Sequence, residues 1–89
     1  MTTIHIPAPL RGLTGGESTV TAAGGTLGKL IDDLDARYPG VKARLVEGDR
    51  IRPGMAVFVN SVQAPSRLET KVVEDADIYF TPAIAGGLD

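Results

Sequence analysis

Helical spacing occurs convincingly once in this chain. Leu27, Leu30, Ile31 and Leu34 recur at three- and four-residue intervals, with Tyr38 one turn further on, so one apolar stripe must be buried against something. Thr26 stands where a hydroxyl can accept a hydrogen bond from a free amide of the first turn, and Pro39-Gly40 supplies a stop. The spacing predicts one main helix over residues 26–38. Because the rest of the 89 residues read as short strands and turns, the helix has only a sheet to lie on. The expected fold is an α+β roll, a mixed sheet packed on a single helix.

Thr3-Ile4-His5-Ile6 alternates polar and apolar before Pro7 and Pro9 stop it, so Ile4 and Ile6 face the core and His5 points the other way. Residues 11–16, with three glycines, read as a loop, and the β-branched residues of 17–21 give the second strand of an N-terminal hairpin. Beyond the helix, 41–54 is polar and turn-rich, with Leu45 and Val46 in a short helical turn and Arg44, Arg50 and Arg52 read as solvated cations. The apolar run 55–59 reads as a central strand entering the turn Asn60-Ser61, and Val62 resumes after it. Glu74-Asp75-Ala76-Asp77 is an acidic turn from which Ile78-Tyr79-Phe80 emerges as the last strand, the tail starting at Pro82. The first and last strands are expected to be central neighbours.

The charge balance, 9 basic against 11 acidic residues without a basic run, does not suit a phosphate backbone, so nucleic acid is not an expected partner. No stretch approaches the roughly twenty apolar residues of a membrane span, and no basic-then-apolar leader is present; no membrane partner and a cytoplasmic protein are expected. Without cysteine, and with His5 as the only histidine, the chain has no thiol nucleophile and no zinc site of its own. Asp32, Asp33 and Asp35 diverge around the helix and read as a solvated face, with Lys29–Asp33 and Asp33–Arg37 pairs four residues apart, rather than as an acid–base pair. A domain of this size has little room for a deep substrate pocket, so an enzyme in its own right is not expected.

The chain closes Thr81-Pro82-Ala83-Ile84-Ala85-Gly86-Gly87-Leu88-Asp89. Two adjacent residues without Cβ, after a proline and small residues, make a thin segment able to enter a narrow active site on another protein. A frayed, inert end reads the same way on this feature alone.

Taken in order, Thr26-Leu27-Gly28-Lys29-Leu30-Ile31 with Leu34 and Tyr38-Pro39-Gly40, then Val57-Phe58-Val59-Asn60, Thr70, and above all Phe80-Thr81-Pro82-Ala83-Ile84-Ala85-Gly86-Gly87, resemble the ThiS/MoaD family of ubiquitin-like sulfur carriers. The resemblance covers nearly the whole chain. It implies a single β-grasp domain over 1–89, with 82–89 as a Gly-Gly tail. In chain length it is nearer to the molybdopterin-synthase small subunit and the carrier of the thiocarboxylate route to cysteine than to the shorter thiamin carrier. It further implies that Gly87 carries the reactive carboxylate and that Gly86 gives the backbone access. An E1-like adenylyltransferase would use ATP to activate Gly87, sulfur would then convert it to a thiocarboxylate, and a second, sulfur-accepting biosynthetic enzyme would receive the sulfur. The carrier itself binds no cofactor and no metal. A molybdenum-cofactor, cysteine or thiazole precursor remains open as the recipient.

Two departures from the family pattern stand out. Leu88 and Asp89 lie beyond Gly87, so a processing peptidase, for example a zinc-dependent isopeptidase-like enzyme, is expected to cut between Gly87 and Leu88. The turn at 74–77 lacks the family's Gly-Asp pair, but Asp tolerates left-handed backbone and the turn is expected to survive. Tyr79, Pro82, Ile84 and Ala85 are expected to contact partners beside the tail, whereas Phe58 is expected in the core. A ubiquitin-like modifier conjugated to lysines through Gly87, or an inert β-grasp interaction module, are the other readings.

Overall fold

In the computed structural model, which describes residues 1–82, strands β1 (Thr2–His5) and β2 (Thr19–Ala22) form the N-terminal hairpin. Helices α1 (Leu27–Arg37) and α2 (Val41–Leu45) follow. The chain continues through β3 (Val46–Glu47), β4 (Arg50–Ile51), β5 (Met55–Val59), β6 (Val62–Ala64) and β7 (Asp77–Pro82). Five strands make one sheet in the order β2-β1-β7-β5-β6, and β3 with β4 makes a two-stranded ladder beside it. The first and last strands do meet at the centre, in parallel, with Thr3 opposite Asp77, Ile4 opposite Ile78 and His5 opposite Tyr79. All other pairings are antiparallel. This is the β-grasp roll.

Helix α1 lies across one face of that sheet. Leu27, Leu30, Ile31 and Leu34 are buried against Ile4, Val20, Val57, Ile78 and Phe80, and each such side chain is worth about 1.5–3 kcal/mol relative to full exposure. The start of the helix is fully accounted for. The Lys29 N–H donates to Thr26 Oγ1 at 3.2 Å, while the Leu27 and Gly28 N–H groups donate to the carbonyls of Thr70 and Leu68 at 3.0 and 2.8 Å. The three amides left without an intrahelical acceptor are therefore satisfied by one hydroxyl and the incoming 68–70 loop. A Cβ on Gly28 would lie 3.1 Å from the Leu68 carbonyl oxygen, so the glycine permits this close approach.

The aspartates of α1 serve architecture. Asp32 pairs with Lys42 at 2.7 Å, Asp35 accepts from the N–H groups of Gly40 and Lys42 at 3.1 and 3.0 Å, and Asp33 accepts from the Ala23 N–H and pairs with Arg37. The Asp33–Arg37 pair is as expected; Lys29 does not pair with Asp33, whose carboxylate is already engaged by Ala23 and Arg37. Asp75 takes the left-handed conformation at φ +59°, and the turn survives without glycine.

Three local expectations are corrected. Of the residues 11–16 read as a glycine loop, 11–14 belong instead to a 3-10 helix, Ala8–Thr14, which buries Leu10 and Thr14. Pro82 belongs to the last strand, opposite Met55, and the tail does not start there. Phe58 is not in the core. Val57, next to it, is fully buried on the helix side, so the two-residue period of the strand turns Phe58 to the opposite face, where it is half-buried.

Candidate functional site

The outer face of the sheet, away from α1, carries a row of large rings set by strand register. Reading across the strands, Thr19 lies opposite His5, His5 opposite Tyr79, Tyr79 opposite Phe58 and Phe58 opposite Gln63. Alternation explains the choice of residues. Ile4, Ile78 and Val57 are committed to the core, so their neighbours His5, Tyr79 and Phe58 must all face outward. His5 stacks on Tyr79 with ring centroids 3.7 Å apart and planes 7° from parallel. Nε2 of His5 lies 3.3 Å from Asp77 Oδ1, and the Asp77 N–H in turn donates to Asn60 Oδ1 at 2.9 Å. Tyr79 is 43% exposed. A ring held flat by its neighbours loses little rotamer freedom on docking, which is why such residues make good interface anchors.

One end of the row opens into a notch of about 270 Å³ between His5, Arg11, Thr19 and Tyr79. The Arg11 guanidinium is held there by its Nε, which donates to the Ile6 carbonyl at 3.0 Å. The notch therefore pairs an aromatic wall with a cation, beside a carboxylate at Asp77. Ser18 and Thr19 also line it beside His5, and among the described residues no group of three His, Cys, Asp or Glu is placed to hold a metal ion. An aromatic wall beside a fixed cation is a combination suited to contact with another surface.

Strand β7 links this face to the chain's end. Tyr79 sits in the aromatic row, and Pro82, three residues later, is the last described residue. Two of the expected partner-contact residues, Tyr79 and Pro82, are thus exposed residues of the central strand β7, on opposite faces of it by the two-residue period. Ile84, Ala85, Gly86, Gly87 and Leu88 lie outside the described residues. Sequence reasoning assigned His5 only a direction; parity of Ile4 and Ile78 with adjacent first and last strands would have brought it beside Tyr79. Phe58 was assigned to the wrong side. Arg44, Arg50 and Arg52 are exposed. No helix among the described residues is long and apolar enough to cross a membrane.

Comparison with known proteins identifies the family. Sulfur carrier protein CysO of Mycobacterium bovis is 38% identical over 92 residues, covering 96% of this chain and 97% of that protein. A chain of the crystal structure of the Amycolatopsis orientalis BexX/CysO complex superposes with a TM-score of 0.87 at 38% identity, covering 98% of this chain and all of that one. Mycobacterium tuberculosis CysO superposes with a TM-score of 0.84 at 31% identity, covering 94% of this chain and all of that one. The model of the ThiS family matches residues 4–87, and the chain belongs to the ThiS family.

Proposed function

We propose that this chain is a sulfur carrier in which Gly87, after removal of Leu88-Asp89, is the residue that is activated and loaded. The observation that carries the reading is where the family match stops: it runs through residue 87 and leaves Leu88 and Asp89 outside. A carboxylate resists nucleophiles because of its charge. Joining it to the adenylyl group of ATP, with pyrophosphate released, gives an acyl-adenylate in which AMP is the leaving group. Sulfur supplied by a donor then displaces AMP and leaves a thiocarboxylate on Gly87. The protein brings no cofactor to these steps; ATP is consumed by an E1-like partner. Gly86 and Gly87 allow the backbone into a channel too narrow for side chains.

Docking is the carrier's own contribution, and the row His5–Tyr79–Phe58 supplies it. The similarity to CysO, a sulfur carrier by name, favours cysteine biosynthesis as the destination, and the solved BexX/CysO complex fits a carrier that works by docking on a second protein. A zinc-dependent isopeptidase-like enzyme is the proposed source of the chain ending at Gly87.

The test uses two forms of the protein, one ending at Gly87 and one retaining Leu88-Asp89. Each is incubated with an E1-like adenylyltransferase, ATP and a sulfur donor, and read by intact mass. Replacement of one oxygen by sulfur is expected in the shorter form alone. Attachment to lysines instead would identify a protein modifier, and no change in either form would leave an inert module.

A further inference from the structure

Strand β2 is an edge of the five-stranded sheet, and among the described residues no strand lies on its outer side. Its phase against β1 follows from one bond. The Ile6 N–H donates to the Ser18 carbonyl at 2.8 Å, and the register continues with Val20 opposite Ile4 and Ala22 opposite Thr2. Alternation then turns the backbone groups of Ser18, Val20 and Ala22 toward β1 and those of Thr19, Thr21 and Ala23 outward. An open row of amides and carbonyls on a β-branched segment is a template for another strand.

Helix α1 reaches over that row at two points. The Ala23 N–H donates to Asp33 Oδ2 at 2.9 Å, and the Thr21 carbonyl accepts from Nη2 of Arg37. Asp33 and Arg37 stand four residues apart on one face of the helix and pair with each other at 3.2 Å. The Arg37 guanidinium also lies 5.6 Å from the centroid of the Tyr38 ring, within range of a cation–π contact. Carboxylate, ring and carbonyl together hold it over the edge. As an ion pair the two side chains contribute little, being half-exposed, so their hold on the edge groups is the more consequential part of the arrangement.

The strand that this edge fits best is β2 of a second copy. Set antiparallel about Val20, Thr19 of each copy lies opposite Thr21 of the other, and each such pair exchanges an N–H to C=O bond in both directions. Threonine facing threonine across strands is a favourable pair. Half of those bonds end on a Thr21 carbonyl, the atom that Arg37 occupies, and the guanidinium stands in the path of the incoming strand. We propose that Asp33 and Arg37 are an edge guard: by holding the Ala23 amide and the Thr21 carbonyl they stop β2 from pairing with β2 of a second copy, and so keep the chain single. Pairing there would extend the sheet from the His5 end of the aromatic row, so the guard also keeps that flank of the outer face open. The inference goes beyond the sulfur-carrier reading and does not rest on it.

The test is sedimentation equilibrium on the full chain over a wide range of concentration, without ATP, sulfur donor or partner. The parent is expected to stay a single chain. Arg37→Met, and independently Asp33→Ala, should form a dimer at least about tenfold tighter than any the parent forms. Lys29→Met, which removes an exposed cation from the same helix, should behave as the parent does. Amide hydrogen exchange in the dimer should slow at Thr19 and Thr21. Adding Thr21→Pro to Arg37→Met should restore single chains, because the proline removes an outward amide and none of the bonds to β1. Single chains in both guard variants overturn the proposal, as does a parent that already pairs through β2. Dimers that leave the Thr19 and Thr21 amides unprotected, that ignore Thr21→Pro, or that Lys29→Met forms equally well overturn it too. Because no sulfur chemistry enters the sample, failure here is separable from failure of the loading experiment.

Discussion

A methyl group on Gly24 would sit 2.8 Å from the Leu30 backbone nitrogen and 2.8 Å from the Lys29 Cβ. Both contacts belong to the first turns of α1, which is held by its cap and by the 68–70 loop and has no room to retreat. Gly24→Ala is therefore expected to lower stability by about 1–3 kcal/mol through overpacking, measured as a shift of the urea midpoint with unchanged slope. Gly15, where a Cβ would meet nothing within 4 Å, has no such contact. At the same scale, Phe58 shows why a ring in an apolar run is a poor guide to the core. Met55-Ala56-Val57-Phe58-Val59 is apolar on both faces, so the sequence contains no alternation from which to tell inside from outside. Only the strand's neighbours, through the pairing of Phe58 with Tyr79, decide it.

Among the elements, α1 was legible almost to the residue, because an apolar stripe, a Thr cap and Pro39-Gly40 agree with one another. The 3-10 helix of Ala8–Thr14 was hidden by the prolines and glycines around it. Its burial of Leu10 depends on tertiary contacts that local propensity does not report. The ladder of β3 and β4 is two residues long on each side, too short for any period to show. The junction of α1 with α2 was read only in part: Asp32 is a solvent-exposed charge as expected, but it also reaches forward to Lys42, and Asp35 reaches the amides of Gly40 and Lys42 at the start of α2. The hydrogen bond and charge of Asp32 raise the Lys42 pKa above its ordinary 10.5. A raised lysine contributes stability that is fully present below the unfolded value and is lost as pH rises through the folded one. Lys42→Met should thus weaken the protein only slightly at neutral pH, since solvent screens so exposed a pair. The difference between the two urea midpoints should close as pH rises past the lysine range, and a gap that persists at high pH would assign the effect to packing by the lysine stem.

For the whole molecule, the sheet divides the labour of folding from that of recognition between alternate residues of the same strands. One face buries Ile4, Val57, Ile78 and Phe80 against α1, and the other presents His5, Phe58 and Tyr79. The division was half legible, since the parity of each strand was in the sequence while the parallel register of β1 with β7 depends on how the whole roll closes. Adjacent residues of β7 put it to the test. Ile78 is 1% exposed in the core, and Ile78→Ala is expected to cost about 2–5 kcal/mol, the transfer of its methyl groups plus the cavity they leave. Tyr79→Ala loses the stack on His5, at about 1 kcal/mol, but leaves the inner face intact. In urea titrations the first variant should unfold at a much lower midpoint, and the second near the parent. Binding to the activating partner should reverse that order. Tyr79→Ala is expected to bind at least tenfold more weakly, the loss of about 1.4 kcal/mol that an anchor residue exceeds, while Ile78→Ala binds normally at temperatures where it remains folded. Equal losses for both variants would mean that the outer face serves the fold and that recognition resides in the tail alone.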